Sequence, residues 1–145
     1  MKALSIHPVY AFDIATGEKT IECRTWKTEY RGDIVICSTA KKIYGTIPGC
    51  ALAVVTLKDV VPFKKEHLQA AMMEQKDYRP GMYAWILGNN RIIKPIPVKG
   101  RLSLWDFKDT DKIEYIPGCE WIDAPEYADT NIDWFGKYWE EYAVL

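Results

Sequence analysis

Apolar residues recur at every second position in several short runs along the chain, and a period of two predicts strands. Lys2–His7 alternates in this way, with Leu4 and Ile6 facing inward. Ile34–Ser38 (IVICS) reads as a short buried strand with a polar end. Cys50–Val61 (CALAVVTLKDVV) is the longest β-branched run and predicts a central strand bent near Lys58 and Asp59. Tyr83–Leu87 (YAWIL) is a further strand, and Gly88-Asn89-Asn90 after it predicts a hairpin-type turn. Arg91–Val98 then returns. Pro95 and Pro97 cannot donate to a ladder, so this return is expected to be an edge or an irregular strand. Leu102, Leu104, Trp105 and Phe107 supply a last core segment.

Helical spacing is sparser. Pro8 suits the first turn of a helix, Val9, Phe12 and Ile14 give it an apolar side, and Gly17 stops it. Phe63, His67, Ala70 and Ala71 fall near a 3.6 period and predict a helix within Phe63–Lys76, with His67 at its surface or boundary. Ile132, Phe135 and Trp139 predict a terminal helix over Asn131–Tyr142 that docks an aromatic face. Tyr30–Asp33 reads as a turn and Lys41–Pro48 as a loop. These elements predict an α+β fold: a small β-barrel of five to six mostly antiparallel strands, flanked by two or three helices.

The stretch Gly17–Arg31 (GEKTIECRTWKTEYR) interrupts the apolar pattern with seven charged residues. Ile21 and Cys23 alternate with Glu22 and Arg24, which describes a strand with an apolar back and a charged front. Gly17 places Lys19 at the mouth of that strand. Lys19, Glu22 and Arg24 converging there form a candidate site. The alternative is a surface strand carrying solvated ion pairs, which contribute little.

Composition adds three constraints. The 145 residues suit one domain, and no apolar run approaches the roughly 20 residues of a membrane helix. Four cysteines (Cys23, Cys37, Cys50, Cys119) form no CxxC pair and have no nearby histidine at ligand spacing, so no metal site is expected. Free thiols without an export signal point to the cytoplasm. The net charge of −1 conceals an asymmetry. Residues 1–105 hold 16 Lys and Arg against 9 Asp and Glu, whereas residues 106–145 hold 3 against 11. A basic body suits a phosphate-bearing ligand. The acidic tail either lies across the basic surface and screens it or supplies core through Trp121, Trp134 and Trp139.

Three blocks carry a family resemblance: LSIHPVYAFDI (Leu4–Ile14), GEKTIECRTWKTEYRG (Gly17–Gly32) with the strand ending at Ser38, and, less sharply, YAWIL followed by IKPIPVKGRLSLWDF (Ile93–Phe107). Together they resemble the ASCH domain, a relative of the RNA-binding PUA domain. The resemblance implies a PUA-like β-barrel over residues 1–107, with 108–145 as an acidic, aromatic-rich extension packed on the same domain. It also implies a cleft between barrel and helices, lined by the GxKxxExR motif.

Members of this family are proposed to bind RNA. Some are similar to an amidohydrolase that deacylates 4-acetylcytidine, and at least one is similar to a ribonuclease. In the amidohydrolase branch a lysine works with a threonine three positions later and a distant glutamate. Lys19 matches the lysine, Glu22 stands where the threonine would be, and Glu66 or Glu74 is the distant carboxylate. The leading expectation is a module that binds RNA or a nucleoside or nucleotide, without a cofactor. Its ligand-binding residues are Lys19, Glu22, Arg24, Trp26, Ser38 and Tyr83, with Trp26 or Tyr83 stacking a base or else packing in the core. The alternatives are an amidohydrolase, with Lys19 and Glu22 catalytic, and a metal-independent ribonuclease. His7 and His67 are the two histidines, and nothing in the sequence places them together.

Overall fold

The computed structural model describes residues 1–116 and 141–145. Six strands, β1 (Lys2–Ile6), β2 (Ile21–Arg24), β3 (Gly32–Ser38), β4 (Cys50–Pro62), β5 (Tyr83–Pro97) and β6 (Leu104–Asp106), form one sheet in the order β2-β5-β4-β3-β1-β6. Neighbours run antiparallel except β1 and β3, which pair in parallel from Lys2 and Ile34 to Ile6 and Ser38. In a flat sheet of this order β2 and β1 would lie about 19 Å apart, four spacings of about 4.8 Å. Arg24 at the end of β2 nevertheless donates to the Ser5 carbonyl of β1 at 3.2 Å. The sheet therefore curls into a half-barrel. Register shifts between β4 and β5 at Ala51/Ala53, Val54/Thr56 and Leu57/Asp59 supply local twist for that curl, the last of them at the expected bend.

Inside the curl, Leu4, Ile6, Ile36, Leu52 and Trp85 pack with Ala11, Ile14 and Ala15 of the helix α1 (Pro8–Ala15). On the convex side Ala3, Val35, Cys37, Val54, Ile93 and Phe107 form a second cluster. Middle strands buried on both faces need no polar alternation, which is why IVICS and CALAVV read as continuous apolar runs. A third cluster of Ile21, Phe63, Leu68, Ala71 and Ala84 covers the back of β2 and β5.

Two sequence expectations are overturned. Gly88-Asn89-Asn90 is not a turn: β5 continues through it, and Asn89 adopts φ 49° where the ladder skips from Gly88 opposite Thr56 to Arg91 opposite Val54. The long β4 gives both halves of β5 a partner, so the motif serves as a bulge. The Asn90 amide is then free to donate to the Ala15 carbonyl at the end of α1, 3.1 Å away.

The segment Phe63–Lys76 is not an α-helix either. It holds 3₁₀ turns at Lys65–His67 and Gln75–Asp77, and Met72 has φ 54°. The Ala70 carbonyl accepts from the Thr20 and Ile21 amides, and the Ala71 carbonyl accepts from the Lys19 amine. Carbonyls aimed at β2 are not available to a helical ladder of their own. Among the described residues there is accordingly one complete α-helix besides 3₁₀ turns.

His67 is half-buried, and its Nδ1 accepts from the Lys64 amide at 2.9 Å. The return Arg91–Pro97 is not an edge: it pairs with β4 on one side. On the other, Ile93 bridges Tyr115, the Lys94 amide donates to the Glu114 carbonyl and the Ile116 amide donates to the Ile92 carbonyl. No helix among the described residues is long and apolar enough to cross a membrane. Cys119, Trp121, Trp134, Trp139 and the expected tail helix lie outside the described residues, except that Glu141 and Tyr142 are helical. Tyr142 and Ala143 pack against the inner core, and Val144 exchanges hydrogen bonds of 2.8 and 2.9 Å with Gly45 and Thr46.

Candidate functional site

Local structure brings the charged motif inward. Gly17, at φ 87°, ends α1 in a left-handed conformation that favours glycine. The Lys19 amide then donates to the Asp13 carbonyl at 3.0 Å, which turns the chain into β2. In the β2–β5 pair Glu22 lies opposite Trp85 and Arg24 opposite Tyr83. Directly opposed residues share a face, so Glu22 and Arg24 join Trp85 on the concave side, while Ile21 and Cys23 face the third cluster. The charged front of the strand points into the half-barrel, where Arg24 alone keeps partial exposure.

Three charges meet there. Glu22 Oε2 sits 3.2 Å from Arg24 Nη2, and Glu22 Oε1 sits 3.7 Å from Lys19 Nζ and 3.2 Å from the Cys23 amide that donates to it. Lys19 is 4% exposed and Glu22 7%, so this is a desolvated network and not a pair of surface bridges. The Lys19 amine also donates to the Ala71 carbonyl and lies 5.3 Å from the centroid of the Tyr10 ring. Burial holds the Lys19 amine below the ordinary lysine range, against the opposing pull of the Glu22 carboxylate. Burial likewise raises the Asp13 carboxyl, with Glu18 adding to the rise and Lys19 opposing it.

Arg24 differs from its two partners. Its side chain is 26% exposed, and Nη2 spans Glu22 and the Ser5 carbonyl, bridging the seam between β2 and β1. Its Nε is buried with no hydrogen-bond partner among the described residues. Tyr83, opposite it in the ladder, and Trp26, two residues further along the chain, are half-buried, both packed against the inner core. Trp26 meets Trp85 edge-on at 4.7 Å and accepts the Trp85 indole N–H on its carbonyl at 3.2 Å. Lys27 Nζ lies 5.9 Å from the Tyr83 ring centroid.

The sequence profile of the ASCH domain matches residues 4–142. The chain belongs to the ASCH domain family. Its structure is similar to the crystal structure of an ASCH protein from Zymomonas mobilis, with a TM-score of 0.63 and 18% identity over 78% of this chain and 95% of that one. Two single-residue variants of the Zymomonas mobilis protein match at a TM-score of 0.55 and 18% identity, covering 82% of this chain and 91% and 89% of theirs. At that identity the likeness concerns the fold alone. No curated protein matches the chain.

Of the residues expected at the site of this ASCH chain, Lys19, Glu22 and Arg24 form one network, with Tyr83 and Trp26 at its exposed end. Ser38 is on the same inner face as Ile36, but its hydroxyl is spent on the backbone of Cys50, accepting from the amide at 3.1 Å and donating to the carbonyl at 3.3 Å. Glu66 and Glu74 have side chains 72% and 74% exposed and pair with His67 and Lys76. Neither is among the groups that act on Lys19. His7 caps α1, its Nδ1 accepting from the Val9 amide at 3.2 Å.

Trp85, Tyr10 and the carbonyls of Ser5 and Ala71 also build the site, and sequence reasoning missed them. Only the tertiary fold reveals the backbone groups. Tyr10 carried a readable signal, since it precedes Lys19 by one helix and a turn.

The depressed Lys19 amine predicts a pH dependence. An unfolded lysine titrates near 10.4, so between the lower folded value and that one the unfolded chain binds more protons. Stability therefore rises with pH across that interval. The thiols of Cys37 and Cys50, pushed up by burial to about 12 and about 11, act in the opposite sense above the ordinary thiol range. Denaturation midpoints measured against pH should therefore fall less steeply on the alkaline side in wild type than in Lys19→Met, which keeps the thiol loss without the lysine gain. Equal slopes in the two proteins would refute it.

Proposed function

We propose that this protein binds RNA or a nucleoside or nucleotide in the cleft lined by the GxKxxExR motif, with Arg24 as the group that meets the ligand. The observation that carries this reading is the state of the Arg24 guanidinium. It is held in place by Glu22 and Ser5, yet its side chain stays partly exposed at the seam between β2 and β1, and its buried Nε has no partner among the described residues. A guanidinium offers five N–H donors in a planar fork suited to phosphate or carbonyl oxygens. Tyr83 and Trp26 flank it, and stacking a base on such a ring contributes about 1–3 kcal/mol. Lys19 and Glu22 are too buried to lead the contact; they fix the position of Arg24.

Thermal shift against nucleosides, modified nucleosides, nucleotides and short RNAs tests the reading. A ligand present at about 100 times its Kd stabilises the folded state by about 2.7 kcal/mol. Wild type should melt higher with at least one member of the panel, Arg24→Ala should lose the shift, and Arg24→Lys should recover little of it because the fork is gone. A shift of equal size in wild type and Arg24→Ala would remove Arg24 from the site.

A second reading, deacylation of a nucleoside such as 4-acetylcytidine, draws support from one observation. Burial outweighs Glu22 in setting the Lys19 amine, which favours the neutral base that such a reaction needs. It also requires the Ala71 carbonyl to move off the amine. Purified protein that releases no cytidine from 4-acetylcytidine would exclude it for that substrate.

A further inference from the structure

A groove of about 490 Å³ opens on the convex side of β1, bordered by the chain from Pro97 to Asp109. Lys99, Arg101 and Lys108 line it, with Trp105 as an aromatic wall. The two carboxylates in the lining are already matched: Asp106 Oδ1 lies 2.8 Å from Lys2 Nζ and Asp109 Oδ1 lies 3.7 Å from Lys112 Nζ. Lys99 and Arg101 are exposed and have neither an ion pair nor a hydrogen bond among the described residues. Three cations thus line one concave surface, of which Lys99 and Arg101 have no partner among the described residues and Lys108 acts on Asp106 beside Lys2. Trp105 is half-buried and fixed there, its indole N–H donating to Ser5 Oγ at 3.1 Å.

Ser5 connects this groove to Arg24. Its carbonyl accepts from Arg24 and its hydroxyl from Trp105. Gly100 lies directly on the same residue: a Cβ there would sit 2.5 Å from Ser5 Oγ, so the absence of a side chain lets the Lys99–Arg101 turn lie against β1. The basic groove and the cleft are therefore neighbours across a single strand.

We propose that the Lys99–Lys108 groove is a track for the sugar-phosphate backbone of a single-stranded RNA, a base of which enters the Arg24 cleft. The inference rests on the reading of that cleft as a nucleobase site, and it chooses a strand over a free nucleoside as the ligand. A nucleoside has no phosphate for the three cations that line this groove. A polyanionic strand meets all three and stacks a second base on Trp105.

Fluorescence anisotropy with a labelled single strand of about 12 uridines, titrated across a range of salt, tests the proposal with wild type, the Lys99→Ala/Arg101→Ala/Lys108→Ala variant and Arg24→Ala. The three replaced residues are exposed, so the triple variant should fold, and its circular dichroism and melting temperature confirm that. Each phosphate contact on a single strand contributes about 0.7 to the slope of log Kobs against log salt. The triple variant should therefore lose about 2 from that slope and bind more weakly, while any nucleoside-induced thermal shift stays at its wild-type size. Arg24→Ala should weaken RNA binding and abolish the nucleoside shift. An unchanged salt slope in the triple variant overturns the track. Wild type that shows an Arg24-dependent nucleoside shift but no RNA binding at low salt also overturns it, and leaves the cleft reading intact.

Discussion

Glu22→Ala is expected to destabilise the protein by about 3–5 kcal/mol, the cost of removing one member of a buried charge network and leaving the others uncompensated. Glu22 is 7% exposed and is the only side chain that bridges Lys19 and Arg24 among the described residues. Its loss strands a 4% exposed ammonium whose remaining partners are the Ala71 carbonyl and the face of Tyr10. Urea denaturation measures the effect. The Lys19→Met/Glu22→Ala double variant should recover a large part of the loss, because removing both charges removes the uncompensated one. A cost for Glu22→Ala below about 1 kcal/mol, the range of exposed pairs, would mean that the network is solvated.

Trp85→Ala is expected to cost about 3–5 kcal/mol as well, by a different route. Trp85 is fully buried at the centre of the concave core, directly opposite Glu22. Removing it leaves a cavity beside the charge network and takes away two contacts of Trp26, the edge-on ring contact at 4.7 Å and the indole N–H on its carbonyl. Ligand-induced stabilisation should therefore fall along with stability. Trp85→Phe keeps most of the ring and loses the hydrogen bond, worth about 0.5–1.5 kcal/mol. A Trp85→Ala variant as stable as wild type would show that the indole is not part of the core.

The two predictions also show where local patterns stop being informative. The alternation of Ile21, Glu22, Cys23 and Arg24 places the charges on one face of a strand, and that holds in the structure. It carries no information on whether that face looks to solvent or into the barrel, because the answer depends on β5, sixty residues on, supplying Trp85 and Tyr83 as partners. The same limit applies to Phe63–Lys76. Its 3.6 spacing is present, yet the Ala70 and Ala71 carbonyls are claimed by β2 and Lys19, and a distant strand outweighs a weak helical preference. Gly88-Asn89-Asn90 has turn chemistry, and the length of β4 converts it to a bulge.

By itself the sequence determined the strands at Lys2, Ile34, Cys50 and Tyr83, the helix opened by Pro8 and stopped by Gly17, the ASCH resemblance and the grouping of Lys19, Glu22 and Arg24 on one stretch of chain. Those features depend on neighbours within a few residues, through backbone dihedrals and side-chain alternation. The tertiary structure alone decided that the sheet curls, that Lys19 and Glu22 lose their water while Arg24 keeps some, and that Ser5 joins Arg24 to a basic groove. Desolvation and strand pairing are set by residues far apart in sequence, and only the tertiary fold brings them within bonding distance.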